Sequence, residues 1–277
     1  MENSMPVELF QICYDDATRT CILPGCNIID NSVEPLPGWF EFGAILHFLR
    51  TEDLNNDTWY GFLSPKFSEK TGVQPELVKQ FLVDNGNNHE VSLFSTGWDQ
   101  ICYFRDPWEQ GELFHPGLLT ESQKDFDKIN YNIDLKSCVT DTTSALFFQL
   151  CDCKKNYWKI WRDIAEKFFE YVEQGNIGNE KTSYKGFQHP IQIFVQERFA
   201  SAILSTNKLP VLRPDWSMQA PIWEQMFPNS ASNRHLLAAC DLFKRQFNST
   251  KDQKYLDVYW QIHEQIVCNY SIPNTFR

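Results

Sequence analysis

Short apolar runs alternate with helical periodicity along most of this chain. Val7–Tyr14 reads Val-Glu-Leu-Phe-Gln-Ile-Cys-Tyr. Its alternation is only partial, the pattern of a strand covered on both faces. Cys26–Ile29, Thr58–Leu63, Val91–Phe94, Thr143–Leu150 and Leu209–Leu212 are further strand candidates. Between them lie helical patterns: Trp39–Arg50, Pro65–Thr71, a helix opening at Gln74-Pro75, and short helices within Trp98–Phe104 and Gly117–Ile129. Lys155–Glu173 is strongly amphipathic, with Trp158, Trp161, Ile164, Ala165, Phe168 and Val172 on one stripe. Ile191–Ser205 predicts a second continuous helix, and Gly175–Gly186 a polar loop. Arg234–Phe247 and Asp252–Asn269 predict a helical pair near the end of the sequence. Strands alternating with helices predict an α/β fold with a mainly parallel or mixed central sheet. No repeat or low-complexity linker breaks the pattern. One domain over 1–277 is expected, with an α/β core to about 215 and a helical extension from about 216.

Composition narrows the function. Net charge is -11, and no stretch gathers enough Lys and Arg to track phosphates, so nucleic-acid binding is not expected. No apolar run reaches the length of a transmembrane helix, and the first residues show no secretory pattern. The nine cysteines are scattered, as expected of free thiols in a reducing cytoplasm.

The chemistry-bearing stretch is Ser95-Thr-Gly-Trp-Asp-Gln100, then Pro107-Trp-Glu-Gln-Gly-Glu112 and His115-Pro-Gly117. It follows a strand, and ligands of open α/β sheets bind beyond the strands' carboxyl ends. Indoles (Trp98, Trp108) interleaved with acids (Asp99, Asp106, Glu109, Glu112) suit a polyhydroxylated ligand, since rings stack on sugar C–H faces and carboxylates accept O–H bonds. The alternative is a packed, acid-decorated loop. Asp15 and Asp16 end the first strand, where acids hold a base or ribose or simply cap a turn; Asp30-Asn31 is a weaker case of the same kind. Glu197-Arg198 is either a solvent face or a general base beside a cation. His115 is a phosphate or metal contact, or a structural imidazole. Ser64-Pro65-Lys66 is a phosphate contact or a turn. Phosphate-loop, dinucleotide and zinc-protease motifs are missing, and Cys151-Asp-Cys153 lacks a second cysteine pair at zinc-finger spacing.

Several segments together carry a resemblance: Leu-Phe-Gln-Ile-Cys-Tyr-Asp15, Gly-Trp-Phe-Glu-Phe42, Trp-Tyr-Gly-Phe-Leu-Ser-Pro-Lys-Phe67 with Lys-Thr-Gly72, Trp-Asp-Gln100, Trp-Glu-Gln-Gly-Glu112 with His-Pro-Gly117, and Gln-Glu-Arg-Phe-Ala-Ser201. They span about Val7 to Ser201. In motif order the chain resembles bacterial glycosyltransferase-like proteins encoded with surface-polysaccharide genes. The resemblance implies a GT-A-like fold and transfer of a sugar from a nucleotide-sugar donor to a glycan or glycolipid acceptor. It places Tyr14, Asp15 and Asp16, with Ser64 and Lys66, at the nucleotide. It makes Asp99 the acid for sugar or metal and Glu197 the base. Trp98, Gln100, Trp108, Glu109, His115 and Arg198 would then line the sugar and acceptor. The chain departs from the pattern where many such enzymes carry Asp-x-Asp for a divalent cation. Here the comparable stretch is Gly-Trp-Asp-Gln, which leaves Mn²⁺ or Mg²⁺ with Asp99 alone and Arg198, Lys66 or His115 as other sources of positive charge. A cytoplasmic enzyme follows, with peripheral attachment to the inner membrane left open. Two alternatives stand beside it: a noncatalytic carbohydrate- or protein-binding domain, and a hydrolase pairing Asp99 with Glu109.

Overall fold

The computed structural model describes residues 5–95, 97–146, 151–175, 181–184, 187–228 and 230–270. Its strands are β1 (Val7–Cys13), β2 (Asn27–Asp30), β3 (Trp59–Leu63), β4 (Val91–Leu93), β5 (Cys151–Cys153), β6 (Lys181–Tyr184), β7 (Phe187–Pro190) and β8 (Val211–Leu212). Its helices are α1 (Asp16–Thr20), α2 (Phe40–Thr51), α3 (Phe67–Thr71), α4 (Pro75–Asn85), α5 (Trp98–Tyr103), α6 (Pro107–Phe114), α7 (Leu118–Lys128), α8 (Lys155–Glu173), α9 (Gln192–Gln196), α10 (Phe199–Thr206), α11 (Ser230–Thr250) and α12 (Gln253–His263). The chain divides into two compact units, and it passes between them several times. The first comprises Met1–Ser95, Phe148–Gln174 and Lys208–Arg213; the second comprises Thr96–Phe147, Gly175–Asn207 and Pro214–Arg277.

The first unit is an α/β layer structure around a six-stranded mixed sheet of order β2-β1-β3-β5-β4-β8. β1 pairs in parallel with β2 and β3, and β4 with β8. β5 runs antiparallel to both of its neighbours, so the other five strands share one direction. The first connection leaves β1 toward β2, and the next crosses to β3 on the other side. The connections therefore diverge between β1 and β3, the kind of switch point at which open sheets leave a crevice. Phe10 and Phe62 are register partners and face α2 and α8. Phe10 lies 4.7 Å from the Phe48 ring and Phe62 lies 4.8 Å from Trp158. The Trp158 indole N–H donates to the carbonyls of Tyr60 (3.2 Å) and Cys153 (3.0 Å), so one side chain fastens α8 to two strands. The opposite face carries α4, whose Val78 and Leu82 are fully buried and whose Phe81 meets Phe94 edge-on. Each aromatic or large aliphatic side chain buried this way contributes about 1.5–3 kcal/mol.

The second unit is largely helical. α11 packs on both α12 and α5, and Trp98, Tyr103, Phe104, Phe227, Leu237 and Tyr259 share one core. Lys244 is buried here because its ammonium has work to do: it donates to the carbonyls of Ile101 and Phe104, each at 2.5 Å, at the end of α5. Tyr259 donates to the Tyr103 carbonyl at 2.7 Å. β6 and β7 form an antiparallel hairpin.

Four sequence expectations require correction. The stretch 107–114 is not a loop but α6: Asp106 accepts from the Trp108 and Glu109 amides at 2.8 Å each, and Pro107 stands in the first turn. The strand expected over Thr143–Leu150 is displaced. Residues 143–146 form a turn and irregular chain, 147–150 lie outside the described residues, and the strand is the later β5. A turn held by Asp141 explains the displacement, for its carboxylate accepts from both the amide and the hydroxyl of Thr143. The helix expected over Ile191–Ser205 is broken at Glu197-Arg198 into α9 and α10. Of the loop expected at Gly175–Gly186, residues 181–184 are β6, and 176–180 and 185–186 lie outside the described residues.

Candidate functional site

The carboxyl ends of the parallel strands in the first unit collect buried polar groups, most of them with no partner among the described residues. β1 is followed by Tyr14, β2 by Asn31, β3 by Ser64, and β4 by Phe94 and Ser95. The Asn31 side-chain amide nitrogen and the Ser64 and Ser95 hydroxyls are buried atoms without a hydrogen-bond partner among the described residues, and the buried Tyr14 hydroxyl faces the Glu41 carboxylate. Asn31 is only 2% exposed and Ser95 5%. Leaving such a group unsatisfied costs about 1–3 kcal/mol, and three of these strand ends carry one. Alternation along the strands sets all four on one sheet face, the α2–α8 face that Phe10 and Phe62 share. The Asn31 backbone N–H donates to the Cys13 carbonyl at 2.8 Å, which continues the β1–β2 ladder and sets Asn31 beside Tyr14. Ser64 continues the β1–β3 register on the other side of β1.

Glu41 completes this end of the sheet. It stands in the first turn of α2 with its carboxylate beside the Tyr14 hydroxyl; burial first, and then Glu41, push that phenol well above its ordinary range, so it stays protonated. The backbone just before it is strained: Phe40 has φ +46°, a left-handed conformation that a bulky residue rarely adopts. Its ring is 44% exposed, while Trp39 is anchored through its indole N–H on Glu173 at 3.0 Å. Sequence reasoning missed Glu41, whose only sequence signal is a place at a helix start after a Pro- and Gly-rich turn.

The other acids of this edge are occupied. Asp15 caps α1 in a reciprocal box with Thr18, accepting its amide at 2.7 Å, and Asp16 sits exposed in the following turn. Asp30 accepts from the Ser32 amide and hydroxyl and pairs with Arg19; those bonds, Ser32 foremost, pull its carboxyl down to about 2. Lys66 follows Ser64 at the turn closed by the Phe67 amide on the Ser64 carbonyl (3.0 Å); it is exposed, with no ion-pair partner among the described residues.

The remaining expected site residues all belong to the second unit, and most are turned inward. Asp99 is 2% exposed. Its oxygens accept from the amides of Gln100 (2.9 Å) and Trp223 (2.5 Å), and burial raises its pKa. Trp98 is buried under the Arg234 guanidinium, and Trp108 packs against Phe126. Glu109 accepts from the Arg105 amide with one oxygen; burial, then Asp106, push its carboxyl up to about 7. Gln100 and Gln110 are hydrogen-bonded at 3.1 Å, and Gln110 in turn meets Arg198 at 3.4 Å. Arg198 donates to the carbonyls of Pro107 (3.0 Å) and Phe194 (2.6 Å), stitching α6 to the break between α9 and α10. Gly111 makes room for it, because a Cβ there would lie 2.5 Å from the guanidinium. His115 stacks on Phe194 at 3.6 Å; burial, then Arg198 and His189, lower its pKa to about 4, so it is neutral at pH 7. Glu197, 3.7 Å from Arg198, keeps a third of its side chain exposed. The structure thus gathers Gln100, Gln110, His115 and the partly exposed Glu197 around the buried Arg198 and holds Asp99 on backbone amides.

Among the described residues no three His, Cys, Asp or Glu side chains gather as a metal site, and no helix is long and apolar enough to cross a membrane. Compared with known proteins, the chain matches no family model, no curated protein and no solved structure.

Proposed function

We propose that this chain is a glycosyltransferase of GT-A-like architecture. It takes a nucleotide sugar at the carboxyl end of the first unit's sheet and passes the sugar to a glycan or glycolipid acceptor of a cell-surface polysaccharide. The observation that carries the reading is the set of four buried polar atoms on Tyr14, Asn31, Ser64 and Ser95, the last three without a partner among the described residues, on one face and at one end of the aligned strands. All four are able to donate, and a nucleotide sugar is rich in acceptors. The β1–β3 switch point lies between Tyr14 and Ser64, where open α/β sheets place ligands. The Tyr14 phenol, kept protonated, and the Glu41 carboxylate offer a donor and an acceptor for ribose or base.

A second reading, a noncatalytic carbohydrate- or protein-binding domain, draws support from the second unit. There the one acid of Gly-Trp-Asp-Gln is consumed by backbone amides, and both indoles of the aromatic stretch are buried. The two readings separate in one experiment. Thermal unfolding is followed with UDP, GDP, CMP and dTDP, for the wild type and for Tyr14→Phe and Asn31→Ala. A ligand at a hundred times its Kd adds about 2.7 kcal/mol to the native state. The transferase reading expects one nucleotide to raise the Tm of the wild type and both variants to lose that rise. If no nucleotide shifts folded wild-type protein, the reading fails and glycan binding becomes the question.

A further inference from the structure

The resemblance to GT-A-like enzymes implies a divalent cation held by carboxylates at the end of a central strand, and the residues present do not fit one. β3, third of the six strands, ends in Leu63-Ser-Pro-Lys66 without a carboxylate. Asp15 and Asp30 at the neighbouring ends already accept two or more hydrogen bonds each, and Glu41 is a single carboxylate engaged by the Tyr14 hydroxyl. The unpartnered atoms are hydroxyls and an amide N–H₂, and the exposed charge that follows β3 is an ammonium. Hard cations take oxygen ligands, chiefly carboxylates and carbonyls; an amide nitrogen and an ammonium give them nothing. The same groups are suited to phosphate oxygens, which accept and are negatively charged.

We propose that the diphosphate of the nucleotide sugar is held at the β3 end by the Ser64 hydroxyl and the Lys66 ammonium, with Lys66 countering the leaving-group charge in place of a divalent cation. This rests on the reading under Proposed function. In the transfer, the bond between the anomeric carbon and the diphosphate oxygen breaks and its electron pair stays on the diphosphate. The acceptor oxygen bonds to that carbon and gives its proton to water. The charge that grows on the diphosphate is the one Lys66 meets. Glu41 stands at the β1 side beside Tyr14, so the edge is polarised: hydroxylated groups of the nucleoside belong on that side and the phosphates on the side of Ser64 and Lys66. Pro65 and the Ser64–Phe67 turn hold the lysine at the strand end rather than on a free loop.

The test is calorimetric binding of the preferred nucleoside diphosphate, its nucleoside, and inorganic pyrophosphate, each in EDTA and in Mn²⁺ or Mg²⁺. The expected diphosphate affinity changes less than about threefold between EDTA and metal. Lys66→Gln is expected to weaken the diphosphate and pyrophosphate at least tenfold while leaving the nucleoside unchanged, and Lys66→Arg to retain binding. Lys66 is exposed, so an unchanged Tm certifies folding of both variants. A loss of tenfold or more in EDTA overturns the proposal and leaves the transferase reading intact, as does a Lys66→Gln protein that binds the diphosphate normally. Failure of every nucleotide to bind the wild type overturns both.

Discussion

Replacing Asp152 by Asn removes a buried charge that the first unit has no means of stabilising. Asp152 lies on β5 opposite Gly61 of β3 and Ser92 of β4, on the face covered by α4. It is 1% exposed, and its Oδ1 and the Ser92 hydroxyl both lack partners among the described residues. Burial alone pushes its carboxyl from 3.8 up to about 7. A gap of about three pK units is worth about 4 kcal/mol. The sign follows from proton counting: between the two values the native protein holds a proton that the unfolded chain has released, so stability falls as pH rises. The contribution is fully present below pH 3.8, and it is gone above about pH 7. Between pH 5 and pH 8 this group should therefore remove about 2.5 kcal/mol. Urea unfolding of wild type and Asp152→Asn across that range reads the effect. The amide brings its own unsatisfied donors, a constant offset of about 1–3 kcal/mol, but it does not titrate. The stability difference between the two proteins should thus shift by about 2.5 kcal/mol in favour of the variant from pH 5 to pH 8. Glu109 and His115 titrate in both proteins and cancel in the difference. Parallel stability curves for the two proteins would refute the reasoning and mean that Asp152 is ionised in the native state.

Gly61 and Asp152 should be energetically coupled. A Cβ on Gly61 would lie 1.8 Å from the Asp152 Oδ1, so Gly61→Ala is expected to cost about 1–3 kcal/mol or more by overpacking, and most of that cost should vanish in a background of Asp152→Ala; urea titrations of the four proteins of that cycle decide it, and additive effects would sink the idea. Phe40 should invert the usual order of Gly and Ala: at φ +46° Phe40→Gly should be more stable than Phe40→Ala by about 1 kcal/mol, reflecting the left-handed penalty, where an ordinary helical position favours Ala by a similar amount. Equal melting temperatures, or Ala above Gly, would show that the backbone relaxes out of that conformation.

The first unit was largely legible because its elements are short and sharply punctuated. Val7–Cys13 and Trp59–Leu63 lie within one residue of their expected bounds. Lys155–Glu173 matches at both ends, since its stripe of Trp158, Trp161, Ile164 and Phe168 fits no other period. α3 ends at Thr71, its expected bound, because Gly72 follows at φ +70°. What escaped the sequence was tertiary. β5 is a three-residue Cys-Asp-Cys strand with an acid in its centre, a composition that propensity places outside strands. It joins the sheet because its neighbours on both sides present a ladder and because Gly61 leaves space for the carboxylate. The break at Glu197-Arg198 has a similar origin. The Arg198 guanidinium is drawn inward to three acceptors on Pro107, Phe194 and Gln110, contacts that no local pattern announces.

The candidate site shows the same division between pattern and burial. The stretch from Ser95 to Gly117 drew attention for its mix of acids and indoles, and that mix has a folding explanation once hydrogen bonds are assigned. Asp106 caps α6, Glu112 accepts from the Gly117 and Leu119 amides, and Asp99 accepts from Gln100 and Trp223. Acids that face backbone amides are read identically, in sequence, to acids that face a ligand. The buried polar groups at the ends of the aligned strands are plainer: a tyrosine, an asparagine and two serines, each placed just past a strand end. None forms a motif, because their relation lies in sheet register and not in spacing along the chain. Strand ends are therefore the more informative positions to compare in this fold. A short polar residue there, with nothing in the protein to bond, points to chemistry more strongly than an acid such as Asp99, Asp106 or Glu112 whose oxygens already accept from backbone amides.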